Sequence, residues 1–249
     1  MNDNNFLKPA NKGRSAPLRN LAVLESLLLE LKDRPDHLPG IGVFSGPSGF
    51  GKSTAAAYVS AEHQAHYLEV RSTWTKKVFL ENLISQLGVS PKKTTAELAA
   101  QAAEELAITQ KVMILDEFDN AVDRNLIETV RDLYEQSQAP IILIGEERLP
   151  IKLQKWERFH GRILSWKQSN PADLNDAQIL AQYYSPKIAI NDDLLERIVV
   201  MARGSVHRIV VNIHKVDNYA KNAGFKSIGL DEWGNQELST GNPPAARKF

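Results

Sequence analysis

The sequence contains no cysteine among its 249 residues, which excludes disulfide bonds and thiolate metal sites. It also lacks an excess of charge of either sign, because 30 Lys and Arg residues are balanced by 30 Asp and Glu residues. No global electrostatic field therefore indicates a nucleic acid or a membrane, and a polyanion would have to bind a local patch. No apolar run approaches the roughly 18–20 residues that span a bilayer. The polar residues 1–5 lack the apolar core of a signal peptide, and we expect a soluble, cytoplasmic protein.

The motif at residues 46–53 is the most informative feature that the sequence does contain. It reads Gly-Pro-Ser-Gly-Phe-Gly-Lys-Ser, a match to G-x-x-x-x-G-K-[ST], between a strand-like segment at 41–44 and a helix-forming segment at 54–59. Glycines let backbone N–H groups converge on phosphate oxygens, and the dipole of the following helix favours the same negative charge. The motif therefore predicts binding of ATP with Mg²⁺. The residues expected to contact the nucleotide are Gly46, Pro47, Ser48, Gly49, Phe50, Gly51, Lys52, Ser53 and Thr54.

A second motif, at residues 111–117, is an apolar run that ends in two acids. A run without polar alternation is typical of a strand buried on both faces of a parallel sheet, and ligands bind at the carboxyl ends of such strands. In this interpretation Lys52 contacts the β- and γ-phosphates, while Ser53 and Asp116 bind Mg²⁺. Glu117 orients and polarises the attacking water, so we expect an enzyme that hydrolyses ATP.

Apolar periodicity divides the chain into an α/β domain and a helical domain. Alternating strand and helix patterns over residues 18–168 predict an α/β fold of the P-loop NTPase type, with a mainly parallel sheet flanked by helices. From residue 170 to about residue 224 only helical patterns appear, and we interpret residues 169–233 as a small helical lid. We interpret residues 1–17 as a flexible arm and residues 234–249 as a disordered tail. The predicted helices are 18–32, 76–87, 95–107, 125–136, 173–184, 192–203 and 206–223, and the strands are 41–44, 66–70, 111–117, 140–145 and 161–166.

A third motif, Gly-Ser-Val-His-Arg at residues 204–208, extends the pattern into the predicted lid. Together with residues 46–53 and 115–117 it resembles the AAA+ transposition ATPases, which are typified by the bacteriophage Mu B protein and the transposon target-selection ATPases. These are similar in turn to the origin-recognition branch. The resemblance covers roughly residues 18–225. Because few residues precede the first motif, we expect the ATPase core alone, without the additional DNA-binding helical domain of Mu B.

The resemblance implies catalytic roles for two arginines. Arg208 corresponds to the sensor-2 residue, which approaches the γ-phosphate, and the alternative is an ordinary surface arginine. An arginine just before the last core strand reaches the nucleotide of the neighbouring subunit in this family, and we favour Arg162 over Arg158 for that position. A solvated surface position is the alternative for both residues.

The resemblance also implies contact with double-stranded DNA, and residues 71–77 are the segment that suits it. Basic and hydroxyl side chains at a helix N-terminus are matched to phosphate oxygens and give affinity without sequence information. In the related filament-forming ATPases this region faces the DNA, whereas a solvated face is the alternative. The candidate DNA contacts are Arg71, Thr75, Lys76 and Lys77.

One position departs from the family pattern. In many AAA+ proteins the strand at 140–145 ends in Asn, Ser or Thr, the sensor-1 residue that positions water, whereas here Gly145 is followed by Glu146 and Glu147. A carboxylate beside a triphosphate is repelled unless Mg²⁺ or Arg148 compensates. We therefore expect slow hydrolysis that DNA or a partner stimulates.

The leading hypothesis is an ATP-dependent ATPase that self-associates into a ring or helical filament on non-specific duplex DNA, presents target DNA and activates a transposase. The transposase role comes from the resemblance alone, because a fold does not fix a function. An ATP switch that binds a protein partner, such as a secretion or signalling ATPase, is one alternative, which the neutral charge favours. A replication initiator or helicase loader is another. It would require a DNA-reading domain after the lid, and we expect none in this chain.

Overall fold

The computed structural model of the protein describes residues 18–241. The predicted arm at 1–17 and the end of the predicted tail, residues 242–249, lie outside the described residues. The described chain forms two compact units, each with a hydrophobic core. We call them the sheet unit, which comprises residues 20–47 and 52–169, and the helical unit, which comprises residues 18–19, 48–51 and 170–241.

The sheet unit is built on five parallel strands in the order β2-β3-β4-β1-β5. The three inner strands, β3, β4 and β1, are buried at every position, as expected of a sheet covered by helices on both faces. The predicted α/β fold with a mainly parallel sheet is confirmed. The strands are β1 (Ile41–Ser45), β2 (His66–Glu69), β3 (Met113–Asp116), β4 (Ile141–Gly145) and β5 (Ile163–Gln168).

Eight helices connect or flank these strands. The five longer ones lie within one to three residues of their predicted bounds, whereas the three short ones were not predicted, because six residues or fewer span too few turns to show a period. The helices are α1 (Arg19–Lys32), α2 (Lys52–Glu62), α3 (Lys76–Gln86), α4 (Thr95–Thr109), α5 (Phe118–Asp123), α6 (Ile127–Ser137), α7 (Leu149–Gln154) and α8 (Glu157–His160).

Two hydrophobic cores form because successive strand residues point to opposite faces of the sheet. On one face Phe44, Ile114 and Ile142 pack with the buried leucines of α1 and the alanines of α2. On the other face Val43 and Leu115 belong to a core with α3, α4 and α6. Both faces are closed, so ligands can approach the sheet only at its edges and strand ends.

The carboxyl ends of the inner strands lie along one edge of the sheet. Ser45 is in register with Gly145, and Leu115 is in register with Leu143. The chain therefore leaves β1, β3 and β4 at the same edge, where α/β sheets bind their ligands. This register places the segments after Ser45, Leu115 and Gly145 in one neighbourhood.

The helical unit contains three long helices, one short helix and a two-stranded parallel sheet. The expectation of helices alone was wrong, because β6 pairs with β7. Strands of two residues show no alternation in a sequence, so no pattern could reveal them. In the part of the chain that the structure describes, no helix is long and apolar enough to cross a membrane. The elements are α9 (Leu174–Tyr184), β6 (Ala189–Ile190), α10 (Asp192–Ala202), α11 (Val206–Ala223), β7 (Ser227–Ile228) and α12 (Leu230–Trp233).

The first part of the tail that we expected to be disordered is packed. Leu238 is buried in the core of the helical unit, and the side chain of Asn212 on α11 pairs with the backbone of Ser239. Its Oδ1 accepts from Ser239 N at 2.7 Å, and its Nδ2 donates to Ser239 O at 3.0 Å. The polar composition of residues 234–241 suggested disorder, but a buried leucine, a buried amide and a hydrogen bond from Lys215 to Glu237 O hold them. The prediction of disorder was therefore wrong for this part.

We predict that Asn212→Ala lowers the free energy of unfolding by about 1–3 kcal/mol, because a fully buried amide and two backbone groups lose their hydrogen bonds. Hydrogen exchange at residues 235–240 should accelerate as well. The matched control is Asn218→Ala on the same helix, whose amide contacts only the exposed His214 and should cost less than about 0.5 kcal/mol. Urea unfolding followed by circular dichroism measures both. Equal losses in the two variants would contradict the assignment.

Candidate functional site

The turn between β1 and α2 has the backbone of a phosphate-binding loop. Gly49 and Gly51 have φ angles of 82° and 81°, in the left-handed region that favours glycine. A Cβ atom on Gly46 would lie 1.9 Å from Oγ of Ser169, so only glycine leaves this space open. Helix α2 begins at Lys52, which places its free N–H groups and the positive end of its dipole at the turn. The turn therefore offers the surroundings that a phosphate group requires.

Ser169 contributes a buried polar atom to the same place. Its backbone N–H donates to Ser45 O at 2.8 Å, which fixes the residue beside the end of β1. Its Oγ has no hydrogen-bond partner among the described residues, although the side chain is only 8% exposed. An unsatisfied buried hydroxyl is unfavourable, and one at a ligand site is accounted for when a bound group supplies the partner. The unpaired hydroxyl of Ser169 beside Gly46 therefore indicates a site that a bound ligand completes.

Two backbone carbonyl groups of the loop hold the side chain of Lys52 over it. Its Nζ donates to Gly46 O at 2.7 Å and to Pro47 O at 2.9 Å. Burial lowers the pKa of Lys52, while the carboxylates around it, first Asp116 and then Glu117, oppose that shift. The structure thus brings the lysine and the two acids of the motifs together. A cation between carbonyl oxygens and carboxylates is suited to exchange the carbonyls for phosphate oxygens.

The carboxylate of Asp116 is fixed by two hydrogen bonds. Tyr67 OH on β2 donates to Oδ2 at 2.8 Å, and the backbone N–H of Glu117 donates to Oδ1 at 2.8 Å. Burial and, next, the charge of Asp116 raise the pKa of Tyr67, which keeps its hydroxyl protonated as a donor. Asp116 itself is 2% exposed. Each oxygen therefore accepts one hydrogen bond and retains a lone pair for a metal ion.

Glu117 adopts an unusual backbone conformation. Its φ and ψ angles are 53° and 40°, in the left-handed region that residues with a side chain rarely occupy, at a cost of order 1–3 kcal/mol. Partial burial of its carboxylate and then the negative charge of Asp116 raise its pKa, while Lys52 opposes the shift. The residue itself remains exposed. A carboxylate with a raised pKa, presented to solvent at a triphosphate site, has the chemistry of a general base for water.

The sensor-1 position is organised by a residue that the sequence analysis missed. Asp119, which is 8% exposed, accepts the backbone N–H of Glu146 at 2.7 Å. Lys152 on α7 forms an ion pair with Asp119 at 3.2 Å. The backbone of Glu146 is thereby held at the end of β4, while its side chain is exposed. Arg148, one of the two groups that would compensate Glu146, forms no ion pair within residues 18–241.

The oxygen donors of the site fit Mg²⁺. In the described part of the chain, no three His, Cys, Asp or Glu residues form a group that could hold a metal. A dedicated protein cage is not what Mg²⁺ requires, because this ion is usually bound through one or two protein oxygens, phosphate oxygens and water. The Ser53 hydroxyl, exposed at the start of α2, and the fixed Asp116 carboxylate are such donors. When bound, Mg²⁺ would neutralise charge on the β- and γ-phosphates.

The three candidate arginines do not share one element. The backbone carbonyl of Arg162 accepts from Ile41 N at 3.1 Å, so Arg162 lies at the amino ends of the strands, opposite the phosphate-binding loop. Its guanidinium pairs with Glu135 on α6 at 2.9 Å. Arg158 is exposed on α8.

Arg208 is in the first turn of α11 in the helical unit, where its N–H donates to the N-cap Ser205. In that unit His207 N donates to Gly49 O at 3.2 Å.

The predicted DNA segment precedes and opens α3. Thr75 is the N-cap of this helix, because its Oγ1 accepts from Val78 N at 3.4 Å, so its hydroxyl already has a structural role. Lys77 lies 3.7 Å from Glu81. Arg71 and Lys76 are exposed and form no ion pair within the described chain. The structure brings these four residues onto one exposed segment.

Comparison with known proteins identifies the type of domain. Residues 36–153 match the model of the AAA domain. Cdc6p from Pyrobaculum aerophilum has a similar structure, with a TM-score of 0.66 at 17% identity over 91% of this chain and 68% of that chain. The ADP form of ORC2 from Aeropyrum pernix has a TM-score of 0.65 at 17% identity, over 92% and 69%. ORC1 from Aeropyrum pernix in complex with DNA has a TM-score of 0.60 at 14% identity, over 84% and 61%. No curated protein matches the chain.

Residues 36–153 form an AAA-type P-loop ATPase domain. At such low identities the solved structures establish the fold, and the domain match together with the site establishes an ATPase that binds ATP with Mg²⁺. The match to the AAA domain does not separate the transposition branch from the others. The finer prediction therefore continues to rest on the three motifs.

Two of the residues that shape the ATPase site were not predicted. Tyr67 lies in the predicted strand 66–70, but its contact with Asp116 depends on the pairing of β2 with β3, which the sequence does not reveal. Asp119 was detectable as a further acid directly after Asp116 and Glu117. Its role nevertheless depends on β4 being the neighbour of β3.

We predict that Glu117→Gln stabilises the protein at pH 7 while lowering ATP hydrolysis by about 10²- to 10⁴-fold. The pKa of Glu117 is raised in the folded state, so the stability linked to this group is present at low pH and is lost as the pH rises through the folded-state pKa. The gain from Gln should therefore vanish below about pH 4, where Glu is protonated in both states. Thermal unfolding at the two pH values, with an ATPase assay, measures this.

The control for that experiment is Glu147→Gln, because Glu147 is exposed and lies outside the turn formed by Asp116 and Glu117, which we call the acidic turn. This variant should leave both the melting temperature and the ATPase rate unchanged. A lower melting temperature of Glu117→Gln at pH 7 would contradict the proposed desolvation of Glu117.

Proposed function

We propose that the protein is an ATPase that self-associates on double-stranded DNA when ATP is bound and does so without sequence preference. The observation that carries this proposal is the exposed basic segment at 71–77. It follows β2, and β2 pairs with β3, the strand that ends at Asp116. The nucleotide site and the candidate DNA contacts therefore lie at the ends of neighbouring strands.

The charges of this segment favour an anionic partner. Lysines at the N-terminus of a helix are disfavoured by the helix dipole. Within the described residues, Glu81 is the only acid that forms an ion pair with either lysine, at 3.7 Å from Lys77. With zero net charge on the whole chain, the attraction has to come from this patch. Phosphate oxygens of a duplex would satisfy both the side chains and the helix terminus. The fold similarity to the DNA complex of Aeropyrum pernix ORC1 supports the same partner.

Self-association would complete the ATPase site. Arg162 lies at the amino ends of the strands, opposite its own phosphate-binding loop, so a nucleotide that it contacts would belong to a neighbouring subunit. The exposed ion pair with Glu135 is worth about 0–1 kcal/mol and is easily exchanged for a phosphate. In this proposal Arg162 acts in trans and Arg208 acts in cis, and the subunits form a ring or a helical filament.

The biological role that we propose is delivery of target DNA to a transposase and activation of that enzyme. It is supported by the similarity of residues 46–53, 115–117 and 204–208 to the transposition ATPases. Hydrolysis stimulated by the transposase would then release the DNA.

A replication initiator or helicase loader is the second candidate. The observation in its favour is the similarity to Cdc6p and ORC2, which extends over most of the chain. This candidate predicts a preference for particular duplex sequences, whereas target delivery predicts none. An ATP switch that binds a protein partner is favoured only by the neutral charge and predicts no affinity for DNA in any nucleotide state.

We predict that the wild-type protein binds a labelled random duplex more tightly with ATP than with ADP or without nucleotide, by about 5- to 150-fold, as typical of coupled sites. Lys52→Ala should abolish the difference, because it removes the cation that faces the phosphates. Fluorescence anisotropy measures both. If Lys52→Ala retains the ATP-dependent gain, the mechanism is wrong.

We predict that Lys76→Ala with Lys77→Ala reduces the slope of log K against log salt by about 2, since each phosphate contact contributes roughly 0.9. The matched control is Lys92→Ala with Lys93→Ala, an adjacent pair of exposed lysines in the loop before α4. It should leave the slope unchanged. The same reduction in both variants would show that the effect is general charge and not contact at the segment 71–77.

A further inference from the structure

The segment 71–77 is attached to the acidic turn by three hydrogen bonds that share Val70 and Asn120. Val70 N donates to Asp116 O at 2.9 Å. Asn120 Nδ2 donates to Val70 O at 2.9 Å, and Asn120 N donates to Glu117 O at 2.9 Å. Both backbone polar groups of Val70, the last residue before the segment, are therefore held by the acidic turn and by the helix that follows it.

Of these three hydrogen bonds, only the one from the Asn120 side chain requires a particular residue type. The bond from Val70 N to Asp116 O continues the ladder of β2 and β3 and would form with almost any residue at either position. Val70 O lies beyond the end of that ladder, and a side-chain amide on α5 is what reaches it. A shorter side chain cannot span the gap, and a carboxylate of the same size has no hydrogen to donate.

The surroundings make this connection stiff. Val70 is 1% exposed and Asp116 is 2% exposed, while Phe118 at the start of α5 is fully buried. Hydrogen bonds shielded from water are stronger, and close-packed neighbours allow little independent movement. Helix α5 starts after the left-handed Glu117 without a side-chain cap. A change in the conformation of Glu117 therefore moves Asn120 and, through it, the start of the segment 71–77.

We propose that Asn120 is a positioning residue that couples the nucleotide site to the segment 71–77. Changes at Asp116 and Glu117 are transmitted through its amide to Val70 O, and contact at the segment acts back on the acidic turn by the same route, because coupling is reciprocal. The identity of the ligand at the segment, duplex DNA, rests on the proposed function. The coupling itself does not depend on that identity.

The first test needs no DNA. Hydrogen exchange at residues 71–77, read by mass spectrometry, is compared with and without Mg–ATP in the wild type, Asn120→Ala and Asn120→Asp. Asn82→Ala is the matched control, since the equally half-buried Asn82 makes the same kind of bond, to Val78 O at 2.7 Å, within its own helix. The wild type and Asn82→Ala should show slower exchange with Mg–ATP, and both Asn120 variants should lose that response while retaining the circular dichroism of the folded protein.

The second test is the stimulation of ATP hydrolysis by random duplex DNA. Loss of one coupling residue should lower the ratio of stimulated to basal turnover by about 2- to 30-fold, with a smaller effect on the basal rate. A purely structural role would lower both rates together and leave the ratio unchanged.

The two tests separate the coupling through Asn120 from the proposed binding of DNA. An Asn120-dependent exchange response without any DNA binding would support the coupling and contradict the DNA proposal. A wild-type response in Asn120→Ala, or no response to Mg–ATP in the wild type, would overturn the coupling.

Discussion

The buried carboxylate of Asp116 is the constraint on which the site depends. It is 2% exposed, forms no ion pair with Lys or Arg within residues 18–241, and is held by Tyr67 OH and the N–H of Glu117. Its two donors are neutral, and Lys52 interacts with its charge only from beyond ion-pair distance. Such a buried charge is costly unless a further cation completes its surroundings. Binding of Mg–ATP supplies that cation, and the same carboxylate raises the pKa of Glu117. The proposed metal binding and the proposed role of Glu117 as a general base therefore both depend on one buried charge.

Charge in the rest of the site is distributed around this constraint. Lys52 is directed by loop carbonyls towards the place of the phosphates, and Lys152 neutralises Asp119 behind the end of β4. Glu146 has no such partner in the described chain and remains exposed at the sensor-1 position. A further carboxylate near the triphosphate opposes accumulation of negative charge in the transition state, and for this reason we expect slow hydrolysis in the absence of a partner. Assembly that brings in Arg162 of a neighbouring subunit would offset it.

The sequence predicted what is local and missed what depends on strand order. The motif at 46–53 and the acids at 116 and 117 are contiguous, so spacing and apolar patterns were sufficient to place them on strand ends. Tyr67 and Asn120 act across the β2–β3 pairing, which joins distant parts of the chain and leaves no periodic signal. The packed residues 234–241 were missed for a related reason, since the buried Asn212 that holds them lies on another element. Tertiary contacts decided each of these cases.

Calorimetric titration with ATP, in the presence and in the absence of Mg²⁺, shows whether the buried Asp116 requires a cation. If the buried Asp116 and its acidic neighbours require a cation, ATP should bind at least about tenfold more tightly with Mg²⁺, a difference of about 1.4 kcal/mol. The acids alone repel the triphosphate, so affinity without the ion should be weak. Equal affinity in both conditions, or tighter binding without Mg²⁺, would contradict the account.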